Sequence, residues 1–358
     1  MAGEKQVKIL EISSYPPPHA GWGVRVSYLR KCLESLGHQC SVLNIGKSRK
    51  IKSAEYLDVQ GGIDYLKKVI RHARQGFLIH THVNGDSPKG LILVLVAELA
   101  SLLNRRRCVL TFHAGPVQHF FPKNRSRLLA PVFRLIFAIP RRIICNNTAV
   151  KEKIITYGVS EEKIVPIPAF SRQYLQYSPQ ALSSDMEDFL RRRRPILTAY
   201  FFDRPEFFVD SMIQAMTRLT SKFPEAGFVL IGGDTRSDRI MQLVEKAGLM
   251  NHVYFAGDRF HDEFMTILSK SHFFIRTPQK DGVSASVLEA LSLKIPVVAS
   301  ENGSRPPGVI TFKPNDAVEL EEKIESAWNR YNTVQSGIVL PEIRDTVEEE
   351  ATLLINLA

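Results

Sequence analysis

Apolar residues along the chain gather into short β-branched runs, separated by longer segments in which they recur at helical spacing. In the first half these runs are Val7 to Ile12, Phe77 to Val83, Cys108 to His113, Ile143 to Cys145 and Ile164 to Ile167. The second half repeats the arrangement with Ile196 to Phe202, Phe228 to Ile231, Val253 to Phe255, Phe273 to Arg276, Pro296 to Ala299 and Val309 to Phe312. Strands that alternate with helices in this way build parallel sheets covered by helices on both faces.

Between the two series lies Ala169 to Arg194, a polar stretch containing SRQYLQYSPQALSSD and ending in four arginines, which reads as an interdomain linker. It separates an expected domain over 1–170 from a second over 190–335. Beyond Pro341 the apolar residues of Ile343 to Leu357 return to helical spacing, and 343–358 is expected to pack back on the first domain. A chain of 358 residues exceeds what one core usually organises, which agrees with two domains and implies a cleft.

Composition is that of a globular protein, with 44% hydrophobic and 23% charged residues. Cys32, Cys40, Cys108 and Cys145 show no C-x-x-C or Cys/His ligand spacing, which argues against a structural metal or a disulfide framework and fits a reducing cytoplasm. The opening MAGEKQVKILEIS lacks the apolar core of a signal peptide. The longest apolar stretch, Gly90 to Leu103, is interrupted by Glu98 and is too short for a membrane span.

A formal charge of +10 favours contact with something anionic: nucleic acid, acidic lipid or a phosphorylated small molecule. No nucleic-acid recognition motif accompanies the charge, so nucleic acid is not expected as a partner. Basic residues concentrate in KNRSRLLAPVFRLIFAIPRR, where Lys123, Arg125, Arg127, Arg134, Arg141 and Arg142 interleave with apolar residues. The segment reads either as an interfacial surface on anionic lipid or as a core-facing helix with a basic outer face.

In doubly wound sheets ligands bind beyond the carboxyl ends of the strands, which directs attention to two loops. After the first strand, SSYPPPHAGWGVRVSYL turns into a helix, and Gly21 and Gly23 would let the backbone approach a phosphate there. No G-x-G-x-x-G is present, so a plain turn is the alternative. The second segment, QKDGVSASVLEALSLKIPVVAS over 279–300, places Asp281 and Glu289 eight residues apart around a helix start near Ser284. Free N–H groups at that start would favour a diphosphate, and Glu289 would accept from ribose hydroxyls. The plainer reading is a loop aspartate and a solvated helix position.

This segment resembles the E-x7-E stretch of the retaining glycosyltransferases of family 4. Further pieces follow in that family's order: the proline-glycine loop, L-x-x-L-G-H, IHTH at 79–82, LTFH at 110–113, IGGD at 231–234 and VYFAGD at 253–258. The resemblance covers nearly the whole chain and implies the GT-B fold, an α/β architecture of two Rossmann-like doubly wound domains facing a cleft. The acceptor is then held mainly by the first domain and the donor by the second. It further implies that Glu289 binds the donor ribose, Asp281 the sugar hydroxyls, and the backbone of Gly282, Val283, Ser284 and Ala285 the sugar and diphosphate. His113 would sit beside the sugar; taken alone, it reads as a buried histidine at a strand end.

Transfer leaves a nucleoside diphosphate whose growing charge needs fixed donors and cations. No D-x-D pair occurs, so metal-independent transfer without a cofactor is expected, with a UDP- or GDP-linked sugar as substrate and retention implied by the family. Departures from the pattern are concentrated in TAYFFDRPEFFVDSMIQA, where Phe207 and Phe208 replace the usual Lys-Gly and Arg204 is the nearest cation. Asp281 replaces a glutamate, Ala169-Phe170 replaces Asn-Gly, and Arg276 stands where a small residue is common.

The expected activity is transfer of a sugar to a glycan or lipid-linked acceptor in cell-envelope polysaccharide or glycolipid synthesis, in the cytoplasm and peripheral on the inner face of the membrane. The alternatives are a catalytically silent GT-B partner subunit, for which the missing lysine argues, and a nucleotide-sugar epimerase. An epimerase would need an acid/base pair at the sugar that the sequence does not offer.

Overall fold

The computed structural model describes residues 6–17, 21–106, 108–115, 118–278, 284–303, 305–340 and 342–358. The chain forms two compact units, Met1–Gln173 with Arg344–Ala358, and Tyr174–Ile343.

In chain order the first unit contains β1 (Lys8–Ser13), α1 (Gly21–Ser35), β2 (Gln39–Asn44), α2 (Gly62–Arg74), β3 (Leu78–Val83), α3 (Pro88–Leu103), β4 (Val109–Phe112), α4 (Ala130–Ala138), β5 (Arg142–Cys145), α5 (Thr148–Ile155) and β6 (Ile164–Pro166). The second contains α6 (Ser184–Arg192), β7 (Ile196–Tyr200), α7 (Val209–Lys222), β8 (Gly227–Ile231), α8 (Asp238–Lys246), β9 (Val253–Gly257), α9 (His261–Ser269), β10 (Phe273–Arg276), α10 (Ala285–Ser292), β11 (Val297–Ser300), β12 (Ile310–Phe312), α11 (Ala317–Trp328) and α12 (Tyr331–Ser336). The chain then returns to the first unit with α13 (Thr346–Leu357).

Each unit holds one six-stranded parallel sheet, ordered β2-β1-β3-β4-β5-β6 in the first and β12-β11-β10-β7-β8-β9 in the second. Strand order reverses between β1 and β3, and again between β7 and β10, and those are the points where doubly wound sheets open a ligand crevice. Every residue of β3, β4 and β8 is buried, as covering helices on both faces require. The edge strand β2 (QCSVLN) lacks the run of branched residues that marks the other strands.

The stretch Gly90 to Leu103 is most of α3, started by Pro88 and by Ser87, whose side chain accepts from the Gly90 amide. Glu98 is buried in it, and burial pushes its carboxyl well above the usual range. Among the described residues no helix is long and apolar enough to cross a membrane.

The segment expected to be a linker contains α6, which sends Met186 into the core beside Ile196 and Phe274. One buried residue in nine leaves almost no apolar periodicity to read. Further on, Gly232 (φ +135°) follows β8 so closely against the end of β7 that an added Cβ would collide with the Phe201 carbonyl oxygen. Here IGGD needs its first glycine to let two strand ends meet.

Candidate functional site

In the first unit, the side chains around the β1/β3 reversal form a buried polar chain. Glu11 is the register partner of His80, and His82 that of Thr111, so period-two alternation puts all four on one face of the sheet. His80 Nδ1 lies 3.0 Å from Glu11 Oε1, and His82 Nε2 lies 2.7 Å from Glu11 Oε2. From His80 Nε2 it is 2.7 Å to the Thr111 hydroxyl, which donates to Glu350 Oε1 at 3.1 Å. Glu350, on α13, accepts from Arg25 Nε of α1 at 2.6 Å. At the other end, His82 Nδ1 lies 2.8 Å from His113 Nε2, and Trp22 packs on the His113 ring with centroids 4.9 Å apart.

Electrostatics order the chain. Burial opposes the Glu11 charge, but His80 and His82 overcome it and hold the carboxyl at about 2. Burial would lower His80, yet Glu11 and Glu350 raise it above its ordinary value. His82 is lowered by burial and by the charge on His80, and His113 well below the usual range by burial and by His82. The Thr111 hydroxyl gives its hydrogen to Glu350 and so accepts from His80 Nε2, while His80 Nδ1 faces the Glu11 carboxylate, so hydrogen bonding places a proton on each His80 nitrogen; the directions at His82 and His113 favour their neutral forms. Glu11, His80 and His82 also bring three ligand atoms within 4.8 Å of one another, a donor set a cation would accept. Their N–O separations of 2.7 and 3.0 Å are those of proton-bridged pairs, so these atoms are already engaged with each other.

Gly21 and Gly23 lie in the first turn of α1, in the same unit as His113. A Cβ on Gly23 would lie 3.4 Å from the Ser14 carbonyl oxygen, near ordinary contact, so packing alone does not require glycine there. Ala169 and Phe170, at the Asn-Gly position of the family, give their carbonyls to Arg25 and to Thr346 and so hold α13 in place.

In the second unit, the loop after β7 folds back through Phe207, which is buried, and Phe208, which takes the left-handed conformation (φ 47°, ψ 46°). The chain therefore keeps at 208 a backbone shape natural to glycine while carrying phenylalanine. Arg204 is exposed, its guanidinium 5.2 Å from the Phe202 ring. The buried cation of this loop is instead Arg276 at the end of β10, set 5.3 Å over the Phe207 ring and donating to the Tyr200 carbonyl at 2.9 Å. Burial pushes the Tyr200 hydroxyl up to about 12.

Ser284 stands at the N-cap of α10 without a side-chain cap, and Ala285 opens the helix. Glu289 is buried in α10, and its Oε1 accepts from His261 Nε2 at 3.0 Å. That corrects the plainer expectation of a solvated helix position. Burial would lower His261, but Glu289 and then Asp262 raise it, so the pair is charge-assisted. Asp281, Gly282 and Val283 lie outside the described residues.

The six basic residues of 123–142 do not form one surface. Phe133, Ile136 and Phe137 of α4 point into the core, which leaves Arg134 exposed with Leu135 on the outer face. Lys123, Arg125 and Arg127, with exposed Leu128, lie in the connection after the carboxyl end of β4. Arg141 and Arg142 instead lie at the opposite end of the strands, where the Arg141 amide donates to the Cys108 carbonyl ahead of β4.

His80, His82, Glu11, Arg25, Glu350, His261 and the role of Arg276 were not recognised from sequence. Two signals were available: two histidines spaced i, i+2 inside a buried strand must share one face, and a glutamate inside KILEIS must find a partner.

Two parallel units with reversed strand order, each presenting polar groups at its reversal point, have the GT-B architecture. Residues 20–170 match Glycosyltransferase Family 4 and residues 204–335 match Glycosyl transferases group 1; the chain belongs to glycosyltransferase family 4. It is 22% identical over 268 residues to an uncharacterized glycosyltransferase of Methanocaldococcus jannaschii, covering 72% of this chain and only 62% of that protein's length. It is 20% identical over 347 residues to one of the subunits of phosphatidylinositol N-acetylglucosaminyltransferase from Arabidopsis thaliana, covering 90% of this chain and 72% of the relative. The crystal structure of Anabaena HepE in complex with UDP and glucose superimposes with a TM-score of 0.72 at 15% identity, over 98% of this chain and 100% of that one. At such identity the likeness speaks for the fold.

Proposed function

We propose that this glycosyltransferase moves a sugar from a UDP- or GDP-linked donor, held by the second unit, to a glycan or lipid-linked acceptor held by the first, in polysaccharide or glycolipid synthesis. The observation that carries the reading is Glu289. It sits inside α10 with Oε1 fixed by His261, and Oε2 makes no hydrogen bond among the described residues, the arrangement a ribose diol requires. The uncapped start of α10 and the cation Arg276 supply positive potential for the diphosphate. UDP in the Anabaena structure and the name of the Arabidopsis relative support donor and lipid acceptor respectively.

The resemblance to the retaining family 4 enzymes supports retention, and the absence of a D-x-D pair supports metal independence. Lys123, Arg125, Arg127 and Arg134, with Leu128 and Leu135, suit the peripheral contact with anionic lipid on the inner face of a membrane. A second reading, a silent partner subunit, is favoured by the buried phenylalanine at 207 in the lysine position.

Thermal unfolding with UDP, GDP, ADP and their sugar conjugates tests the donor site, since ligand at about 100 times its Kd adds ~2.7 kcal/mol of stability. One nucleotide series is expected to stabilise the wild type and not Glu289→Ala. Stabilisation of both proteins alike would remove the ribose role of Glu289. Binding without donor consumption would favour the silent partner.

A further inference from the structure

We propose that Glu11 and His82 are positioning residues that hold His113 as its Nε2–H tautomer, leaving Nδ1 to accept a hydrogen bond from a sugar hydroxyl. The assignment of protons follows from the two ends of the chain. An ionised carboxylate only accepts, so both nitrogens facing Glu11, His80 Nδ1 and His82 Nε2, carry hydrogen. His82 has no charge to spare, because burial and the neighbouring cation His80 keep it neutral. Its Nδ1 is then a lone pair, and the proton in the 2.8 Å contact to His113 Nε2 comes from His113.

Ring geometry agrees. The two imidazoles have centroids 5.1 Å apart and planes only 13° from parallel, while their nearest nitrogens are at 2.8 Å. Rings meeting edge to edge in a common plane satisfy these values, and that is the direction in which N–H and lone pair lie. His113 is only partly buried, whereas His80 and His82 are enclosed. Its main chain is fixed by the amide bond to the Val83 carbonyl, and Trp22 packs on its ring.

The far arm keeps Glu11 ionised. His80, carrying both protons, donates to Glu11 and to the Thr111 hydroxyl, which passes its own hydrogen to Glu350, itself paired with Arg25. The charged groups of the chain, among the described residues, are therefore Glu11 on β1, His80 on β3, Arg25 on α1 and Glu350 on α13. Of these, Arg25 and His80 act against a proton on His113, as burial does. A histidine in this state offers a lone pair to a hydroxyl and supplies no proton to it.

That Nδ1 meets a sugar rests on the proposed function, whereas the tautomer does not, and the test separates them. The full-length protein is labelled with 15N-histidine, and the His113 signals are assigned among the ten histidines by His113→Asn. At neutral pH the His113 spectrum should show hydrogen on Nε2 and a bare Nδ1. Hydrogen on Nδ1, a doubly protonated ring, or a stoichiometric metal found by elemental analysis would overturn the proposal whether or not transfer is observed.

Glu11→Gln turns one acceptor oxygen into an NH2 donor, so a histidine facing it must present a lone pair. The His113 tautomer is expected to shift or become mixed, with kcat falling roughly 10- to 100-fold and KM for the donor little changed, the size of effect found when the outer partner that orients a metal-ligating histidine is lost. A shifted tautomer with unchanged kcat would overturn the positioning role. If the wild type transfers no sugar at all, the proposed function fails while the wild-type spectrum still decides the tautomer.

Discussion

Replacing Glu350 by leucine should cost the first unit several kcal/mol, and replacing Arg25 as well should recover much of it. The Arg25 and Glu350 side chains are 3% and 0% exposed, so water cannot take over from either partner. In Glu350→Leu the guanidinium keeps neutral acceptors: the Pro168 carbonyl at 3.3 Å, the Ala169 carbonyl at 2.8 Å, and the hydroxyl and carbonyl of Thr346 at 3.1 and 3.0 Å. Its charge nevertheless loses its buried carboxylate partner in a low-dielectric interior, which costs about 3–5 kcal/mol. For a unit of this size that corresponds to a fall in melting temperature of about 6–20 °C. In Arg25→Met/Glu350→Leu both charges of the pair are gone, and the double variant should be more stable than Glu350→Leu. Urea unfolding of the wild type, both single variants and the double variant closes the cycle. A loss below about 1 kcal/mol in Glu350→Leu, or a double variant equal to the sum of the singles, would refute the idea of a strongly coupled buried pair.

Two further outcomes are expected. Phe208 holds a left-handed conformation, so Phe208→Gly should be about 1 kcal/mol more stable than Phe208→Ala, which loses the same ring but keeps the backbone cost; equal denaturation midpoints would remove the strain. The folded values of His82 and His113 lie below 6.5, so the unfolded chain binds their protons first and stability falls as pH drops from there, against the opposing contributions of His80 and His261, which are fully present below 6.5 and lost as pH rises through their raised values. Glu11, held at about 2 against 4.5 when unfolded, adds stability that is fully present above 4.5 and lost as pH falls toward 2; urea midpoints taken down this range should drop in both windows, and Glu11→Gln should lessen the lower drop, to which the lowered Asp58, Asp64, Glu321 and Asp345 also contribute.

Periodicity located the strands and the two-unit α/β architecture because buried parallel strands are short branched runs, a pattern local to each segment. It missed β2, whose edge position tolerates Gln39 and Ser41, and α6, which buries only Met186. Spacing placed Glu289 correctly on a helix just after a strand, since a helix start and an acid a turn later are both local features. It ranked Arg204 over Arg276 because proximity in sequence stood in for proximity in space: β10 lies beside β7 in the sheet although more than seventy residues separate Tyr200 from the arginine that donates to it.

The polar chain of the first unit shows why such a site resists reading from one sequence. Its members come from β1, α1, β3, β4 and α13, so Arg25 and Glu350 stand 325 residues apart along the chain. Each alone has an ordinary explanation: a charge on a helix face, a histidine at a strand end, an acid near a terminus. What removes those explanations is the strand order, because only a reversal between β1 and β3 sets Glu11 against His80 in register and carries the face on to Thr111 and His113. Once neighbours are known, hydrogen-bond complementarity orders the protons, since a carboxylate at Glu11 followed by a neutral His82 leaves one pattern for the contact to His113. The chemistry is thus written in residue types that the sequence displays, and in adjacency that only the fold supplies.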